Sequence, residues 1–155
     1  MNSKTSIREL ADNVFEKMLD RNIVTWNACI SNVVIDGRHN DVVKKFIELL
    51  RVGEEPPNSK TFCAFLNACS DGFYLKRGMQ LHGNVIRCGY DLDISVLNGL
   101  IDVYGKCHEV KSSELVLDNM DERNGVSWCS LLAVYEQNDL GEKTLKIFLK
   151  AREDW

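Results

Sequence analysis

Apolar residues recur along this chain three, four and seven positions after a large leading side chain, the stripe of an amphipathic helix. Trp26 is followed by Cys29, Ile30 and Val33, and Phe62 by Phe65, Leu66 and Cys69. Leu97 is followed by Leu100, Ile101 and Tyr104, and Trp128 by Leu131, Leu132 and Tyr135. The leading residues lie 36, 35 and 31 positions apart. After each stripe comes a short break: Asp36-Gly37-Arg38, Asp71-Gly72-Phe73, Cys107-His108-Glu109 and Asn138-Asp139-Leu140. A second helix is predicted beyond each break. These carry Val42, Phe46, Leu49 and Leu50; Leu75, Met79, His82 and Ile86; Leu115, Leu117 and Met120; and Leu145, Phe148 and Leu149. An unpaired second helix with Ala11, Val14, Phe15 and Met18 opens the chain, and Gly53 and Gly89 stand where helix ends are expected.

The pattern is an internal repeat. The stretch from Val14 to Trp26 matches that from Val116 to Trp128 at a constant offset of 102 residues. A two-helix hairpin of 31 to 36 residues has two apolar faces and cannot bury both alone, so neighbours must stack. The expected fold is all-α, an α-solenoid of stacked hairpins. The expected boundaries are a partial repeat at 1–22, then repeats at 23–58, 59–93, 94–124 and 125–155. The only prolines, Pro56 and Pro57, are adjacent and leave long helical stretches uninterrupted.

Composition narrows the function. The 155 residues carry 19 Lys and Arg against 23 Asp and Glu, a net charge of −4, so a strongly basic nucleic-acid binder is excluded while a shape-guided one is not. No run approaches the roughly 20 apolar residues of a membrane span. The six cysteines read as reduced, small and mostly buried, which places the chain in a reducing compartment. The opening Met1-Asn2-Ser3-Lys4-Thr5-Ser6-Ile7-Arg8 lacks the apolar segment of a signal peptide and is too short for a transit peptide. Either such a segment is missing or the chain stays where it is made.

The wording of the hairpins resembles a known family. Arg21-Asn22-Ile23-Val24-Thr25-Trp26-Asn27 resembles the opening of a normal pentatricopeptide repeat. Thr61-Phe62, Leu66-Asn67-Ala68-Cys69-Ser70, Gly78-Met79-Gln80-Leu81-His82-Gly83 and Gly89-Tyr90-Asp91-Leu92-Asp93 resemble the long type. The run from Val96 to Cys107 resembles the short type, and Gly125-Val126-Ser127-Trp128 restarts the cycle. The likeness is to the plant subclass that alternates normal, long and short repeats. It implies single-stranded RNA binding in a mitochondrion or chloroplast, most often specifying sites of cytidine-to-uridine editing. Organellar RNA and editing-complex proteins are then the implied partners; separately, the open solenoid end near Trp155 is expected to offer a surface for self-association. Departures include His108 and Asp139 in place of the family's turn glycine, and Val42 and Ser113 in place of its small alanine, where Gly78 fits.

The resemblance implies one base per repeat, read by the residue after each first-helix anchor and by the residue closing the repeat. Helix geometry points to the same anchor-adjacent places, because one step past a core anchor turns a side chain about 100° toward the shared face of the first helices. The residues there are Asn27, Cys63, Asn98 and Cys129; the closing residues are Asn22, Asn58, Asp93 and Asn124. By the family's code Asn27 with Asn58, and Asn98 with Asn124, imply pyrimidines, whereas Cys63 with Asp93 is outside the code. Asn27 also fits a purely structural role, bonded to the next hairpin. Trp26 and Trp128 belong to the core stripe. Lys44, Lys45, Lys106 and Lys111 are candidates for phosphate contact or for a solvated surface.

No catalytic constellation is present. Cys63, Cys69, His82 and Cys88 have gaps that fit no metal claw, and neither Cys-x-x-Cys nor His-x-Glu occurs. The ending Glu153-Asp154-Trp155 falls inside a repeat hairpin. No cofactor and no enzymatic activity are expected. The alternative function is an RNA-independent scaffold that binds a peptide or partner helix in the solenoid groove.

Overall fold

The computed structural model describes residues 3–153, with side chains from 9 to 152. Met1 to Arg8, considered above for targeting, and Glu153-Asp154-Trp155, at the end considered for self-association, fall outside the described side chains. Among the described residues nine helices follow one another and no strand occurs: α1 (Ser3–Lys17), α2 (Ile23–Ile35), α3 (His39–Val52), α4 (Ser59–Asp71), α5 (Leu75–Arg87), α6 (Ile94–Lys106), α7 (Val110–Asp118), α8 (Gly125–Gln137) and α9 (Gly141–Glu153). The fold is all-α, of the helical-hairpin solenoid class. The chain divides into two compact units, Met1–Phe65 and Leu66–Trp155, and the division along the sequence falls within α4.

In the first unit Trp26, Ile30 and Val33 bury one face of α2. Phe15 from α1 meets Trp26 edge-on, ring centroids 4.8 Å apart, and the Arg21 guanidinium lies 4.8 Å over the Phe15 ring. From α3 come Val42, Phe46 and Leu49, with the Phe46 ring 4.1 Å from that of Phe65 and 6.0 Å from that of Phe62. Each such side chain contributes roughly 1.5–3 kcal/mol by leaving water. Charges ring this core: Lys45 pairs with Glu16 and Glu48, and Arg38 bonds Asp12 at 2.8 Å.

In the second unit α6 packs against α5, α7 and α8, and α8 against α9. Leu81, Val85, Leu100, Ile101, Leu117, Trp128, Leu131 and Val134 form the core. The helices approach closely where side chains vanish. A Cβ on Gly78 would lie 2.4 Å from Val103 Cγ1, and one on Gly105 would lie 2.2 Å from Val134 Cγ2. Ser113, fully buried, donates to the Ile101 carbonyl at 3.0 Å. Two tyrosines at matching positions reach back to a second helix. The Tyr104 hydroxyl sits 2.9 Å from His82 Nδ1, and Tyr135 donates to Glu114 at 2.7 Å, beside Lys143.

Every first helix ends the same way. Its last turn closes with paired backbone bonds, such as Gly37 N to Val34 O and Arg38 N to Val33 O, around one residue in the left-handed region. Those residues are Gly37 (φ 69°), Phe73 (φ 55°), His108 (φ 63°) and Asp139 (φ 56°). Each stands eleven positions after its anchor, so in the second break Phe73, not Gly72, takes the strained place. Gly89 (φ 75°) closes α5 likewise, while Gly53 ends α3 with an extended backbone.

Two expectations need correction. Val14, Leu50, Met79, Ile86, Leu115, Leu145, Phe148 and Leu149 are exposed, not core, because they lie off the face that each second helix packs against its neighbours. None of the cysteines is in a disulfide, but only Cys29 and Cys69 are buried; Cys63 and Cys107 are half-buried, and Cys88 and Cys129 are exposed. Burial pushes the Cys69 thiol up to about 12, so it stays protonated and inert.

Two predictions follow from these contacts. Phe73→Gly relieves a left-handed penalty of about 1 kcal/mol and raises stability by that order. Gly37→Ala lowers it similarly, although nothing lies within 4 Å of the added methyl. Urea unfolding with an unchanged slope checks both. Burial also holds His82 below the ordinary imidazole value. The unfolded chain then binds that proton more readily, so stability falls as pH drops below about 6.5. His82→Gln should flatten the stability profile between about pH 5 and 6.5, above the range where carboxylates titrate.

Candidate nucleic-acid interface

The four repeat-closing residues have a common structural duty. Each stands just before a first helix and caps it. Asn22 Oδ1 accepts from Thr25 N at 3.0 Å, Asn58 Oδ1 from Thr61 N at 3.1 Å, Asp93 Oδ1 from Val96 N at 3.0 Å and Asn124 Oδ1 from Ser127 N at 3.0 Å. At Asn58 and Asn124 the hydroxyl of Thr61 or Ser127 accepts in return from the cap's own backbone N–H, completing a capping box.

In the first unit the cap also meets the predicted reader. Asn27 Nδ2 donates to Asn58 Oδ1 at 3.1 Å, and Thr61 Oγ1 donates to Asn27 Oδ1 at 2.6 Å. The two amides are therefore joined across hairpins and held by the first turn of α4. Both are half-buried. Asn58 Oδ1 is occupied by these donors, while the Asn58 amide nitrogen keeps its N–H groups available. Asn27 keeps one N–H and one lone pair. The hairpin-bridging role considered for Asn27 is thus present in the structure.

The second unit differs. Asn98 is 9% exposed, and its Oδ1 is buried without a partner. No hydrogen bond joins Asn98 to Asn124, which is exposed and engaged with Ser127. Cys63 is half-buried in the first unit, and Asp93 is half-buried in the second as a cap. Cys129 is exposed.

The candidate phosphate contacts are mostly engaged already. Lys44 pairs with Asp41, Lys45 with Glu16 and Glu48, and Lys106 with Asp71 and Asp102. Lys111 stays exposed. Sequence reasoning passed over three residues two places before an anchor. Val24 and Val126 are 70% and 61% exposed, and Lys60 is exposed two residues after Asn58. Val24 lies one turn from Asn27 on the same helix face. For Val24 and Val126 the sequence signal was an apolar residue outside the stripe at a fixed distance from the anchor. Trp26 and Trp128 are 1% exposed and closed to base stacking. Among the described residues no three His, Cys, Asp or Glu side chains converge as a metal site, and no helix is long and apolar enough to cross a membrane.

Comparison with known proteins bears on this arrangement. The PPR repeat model matches residues 95–125 and 126–154. The chain is 52% identical over 154 residues to pentatricopeptide repeat-containing protein At4g14850 of Arabidopsis thaliana, covering 99% of this chain and 22% of that protein. It is 35% identical over 139 residues to the same plant's pentatricopeptide repeat-containing protein At1g15510, chloroplastic, covering 90% of this chain and 16% of the relative. To pentatricopeptide repeat-containing protein CRR2, chloroplastic, also of Arabidopsis thaliana, it is 33% identical over 141 residues, 90% of this chain and 22% of the relative. The chain spans about a fifth of the length of these relatives. With two matched repeats, these likenesses along nearly all of its length, and first helices that recur with a shared cap and a shared turn, the chain belongs to the pentatricopeptide repeat family.

Proposed function

We propose that this chain binds single-stranded RNA in organellar RNA processing, in a mitochondrion or chloroplast, as a specificity or accessory factor for cytidine-to-uridine editing. Its partners in that setting are an organellar transcript and editing-complex proteins. The observation that carries the reading is the Asn27–Asn58 pair: two amides fixed against each other at 3.1 Å, with N–H donors left over. A donor held at that edge suits the O2 carbonyl that cytosine and uracil share, which supports the pyrimidine reading. Asn98 with Asn124 is the second, weaker reader, because so little of the Asn98 edge is open. Cys63 and Asp93 occupy the corresponding positions in the sequence without forming an amide pair. The net charge is −4, and Lys44, Lys45 and Lys106 are taken up by ion pairs, so affinity is low and its salt dependence shallow.

Anisotropy titrations with labelled oligouridylate and oligoadenylate at low salt test this. The uridylate should bind more tightly, and Asn27→Ala should weaken it about tenfold, the effect of one hydrogen-bonding edge. Asn58→Asp keeps the cap oxygen for Thr61 N but removes the amide donors. It should leave the thermal midpoint nearly unchanged while erasing the pyrimidine preference. Lys60→Ala should reduce the salt slope by about 1. Equal affinity for both RNAs, unmoved by Asn27→Ala with Asn98→Ala, contradicts the reading.

A further inference from the structure

The shortest repeat is short for a definite reason. α7 has 9 residues, where α3, α5 and α9 have 14, 13 and 13. The connections that follow α5 and α7, residues 88–93 and 119–124, are equal in length. The four residues missing from α7 relative to α5 are therefore one turn of helix, about 6 Å of rod. Along α7, from Ser112 to Asn119 just past its end, a hollow of about 470 Å³ opens between α5, α6 and α7, with His82 and Tyr104 among its lining residues. A smaller one of about 200 Å³ shares Leu92 and Leu97 with it. Ile86, Leu92 and Leu115 line the larger hollow and are 56%, 67% and 60% exposed.

The rim is acidic. Asp91 lines the larger hollow and Asp121 and Glu122 the smaller. All three are exposed, and none is in an ion pair among the described residues. No Lys or Arg lines either hollow. The neighbouring Arg123 is turned to the Leu117 and Asp118 carbonyls. His82 and Tyr104 already satisfy each other at 2.9 Å, so what the hollow leaves unmet is apolar surface inside and negative charge outside.

We propose that this hollow docks a short amphipathic segment of another protein, which supplies the missing turn with two apolar side chains and meets the carboxylates with Lys or Arg. Charge complementarity selects that occupant, and the rim repels a phosphate backbone. The site lies on residues other than the amide pairs, so it stands or falls apart from the RNA reading.

The probe is a labelled 14-residue helical peptide with Leu four apart and Lys beside them, titrated into the full 155-residue chain. Its Lys→Glu and Leu→Ser counterparts serve as controls. The Lys–Leu peptide should bind saturably and shift the methyl signals of Ile86, Leu92 and Leu115, and both controls should fail. Leu92→Ser with Leu115→Ser, and separately Asp121→Lys with Glu122→Lys, should each weaken binding at least tenfold. These side chains are exposed, so an unchanged circular dichroism spectrum is expected for both variants. Equal binding to every variant, or no binding, overturns the proposal. So does a dimer in sedimentation that Leu115→Ser abolishes, which would make a second copy the occupant. Displacement of the peptide by oligouridylate, which would make RNA the occupant, overturns it too.

Discussion

Trp26, Phe62, Leu97 and Trp128 can leave water only when helices on both sides of their own lie over them. A hairpin of two helices of about 13 residues does not provide that cover. α6 shows the consequence, because it touches α5, α7 and α8 and holds a run of side chains with no exposure at all. The demand fixes where each first helix must start and stop. It starts at an Asx cap four residues before the anchor and stops at a left-handed residue eleven after it. Closing the turn outweighs the local strain, so Phe73, His108 and Asp139 are forced into a backbone region that glycine occupies freely.

The same constraint explains why asparagine stands where a base would be read. Asn58, the cap at the head of α4, is hydrogen-bonded to Asn27, the residue one step past the anchor of α2. Asn58 is needed by α4 whether or not RNA is present. In the proposed function an amide already fixed by folding gains a second use through the N–H groups that folding does not consume. Asn124 and Asn22 cap equally well, so an asparagine at this place is not by itself evidence of reading.

Most of the helical architecture was legible in the sequence. Stripe spacing and breaks located the first helices and their ends, because burial of a first helix on several sides writes a strong period into Trp26, Ile30 and Val33 or Leu97, Leu100 and Ile101. The second helices read less well. One covered face leaves Leu50, Met79 and Leu115 free to be apolar without being buried, and a stripe alone does not separate the two. Cap chemistry at Asn22, Asn58, Asp93 and Asn124 was present in the sequence but was assigned only a reading role. Side-chain partners across hairpins, such as Thr61 with Asn27 and Glu114 with Tyr135, depend on distances that sequence spacing does not contain.

The account turns on whether the joined amides of Asn27 and Asn58 face a base. Side-chain amide resonances of the full chain, followed by two-dimensional NMR during titration with a short pyrimidine RNA, measure that directly. Saturable shifts of the Asn58 and Asn27 NH₂ pairs are predicted with pyrimidine RNA, while the Asn22 amide stays in place. Unmoved Asn27 and Asn58 signals at saturating RNA, or equal shifts with purine RNA, would contradict it.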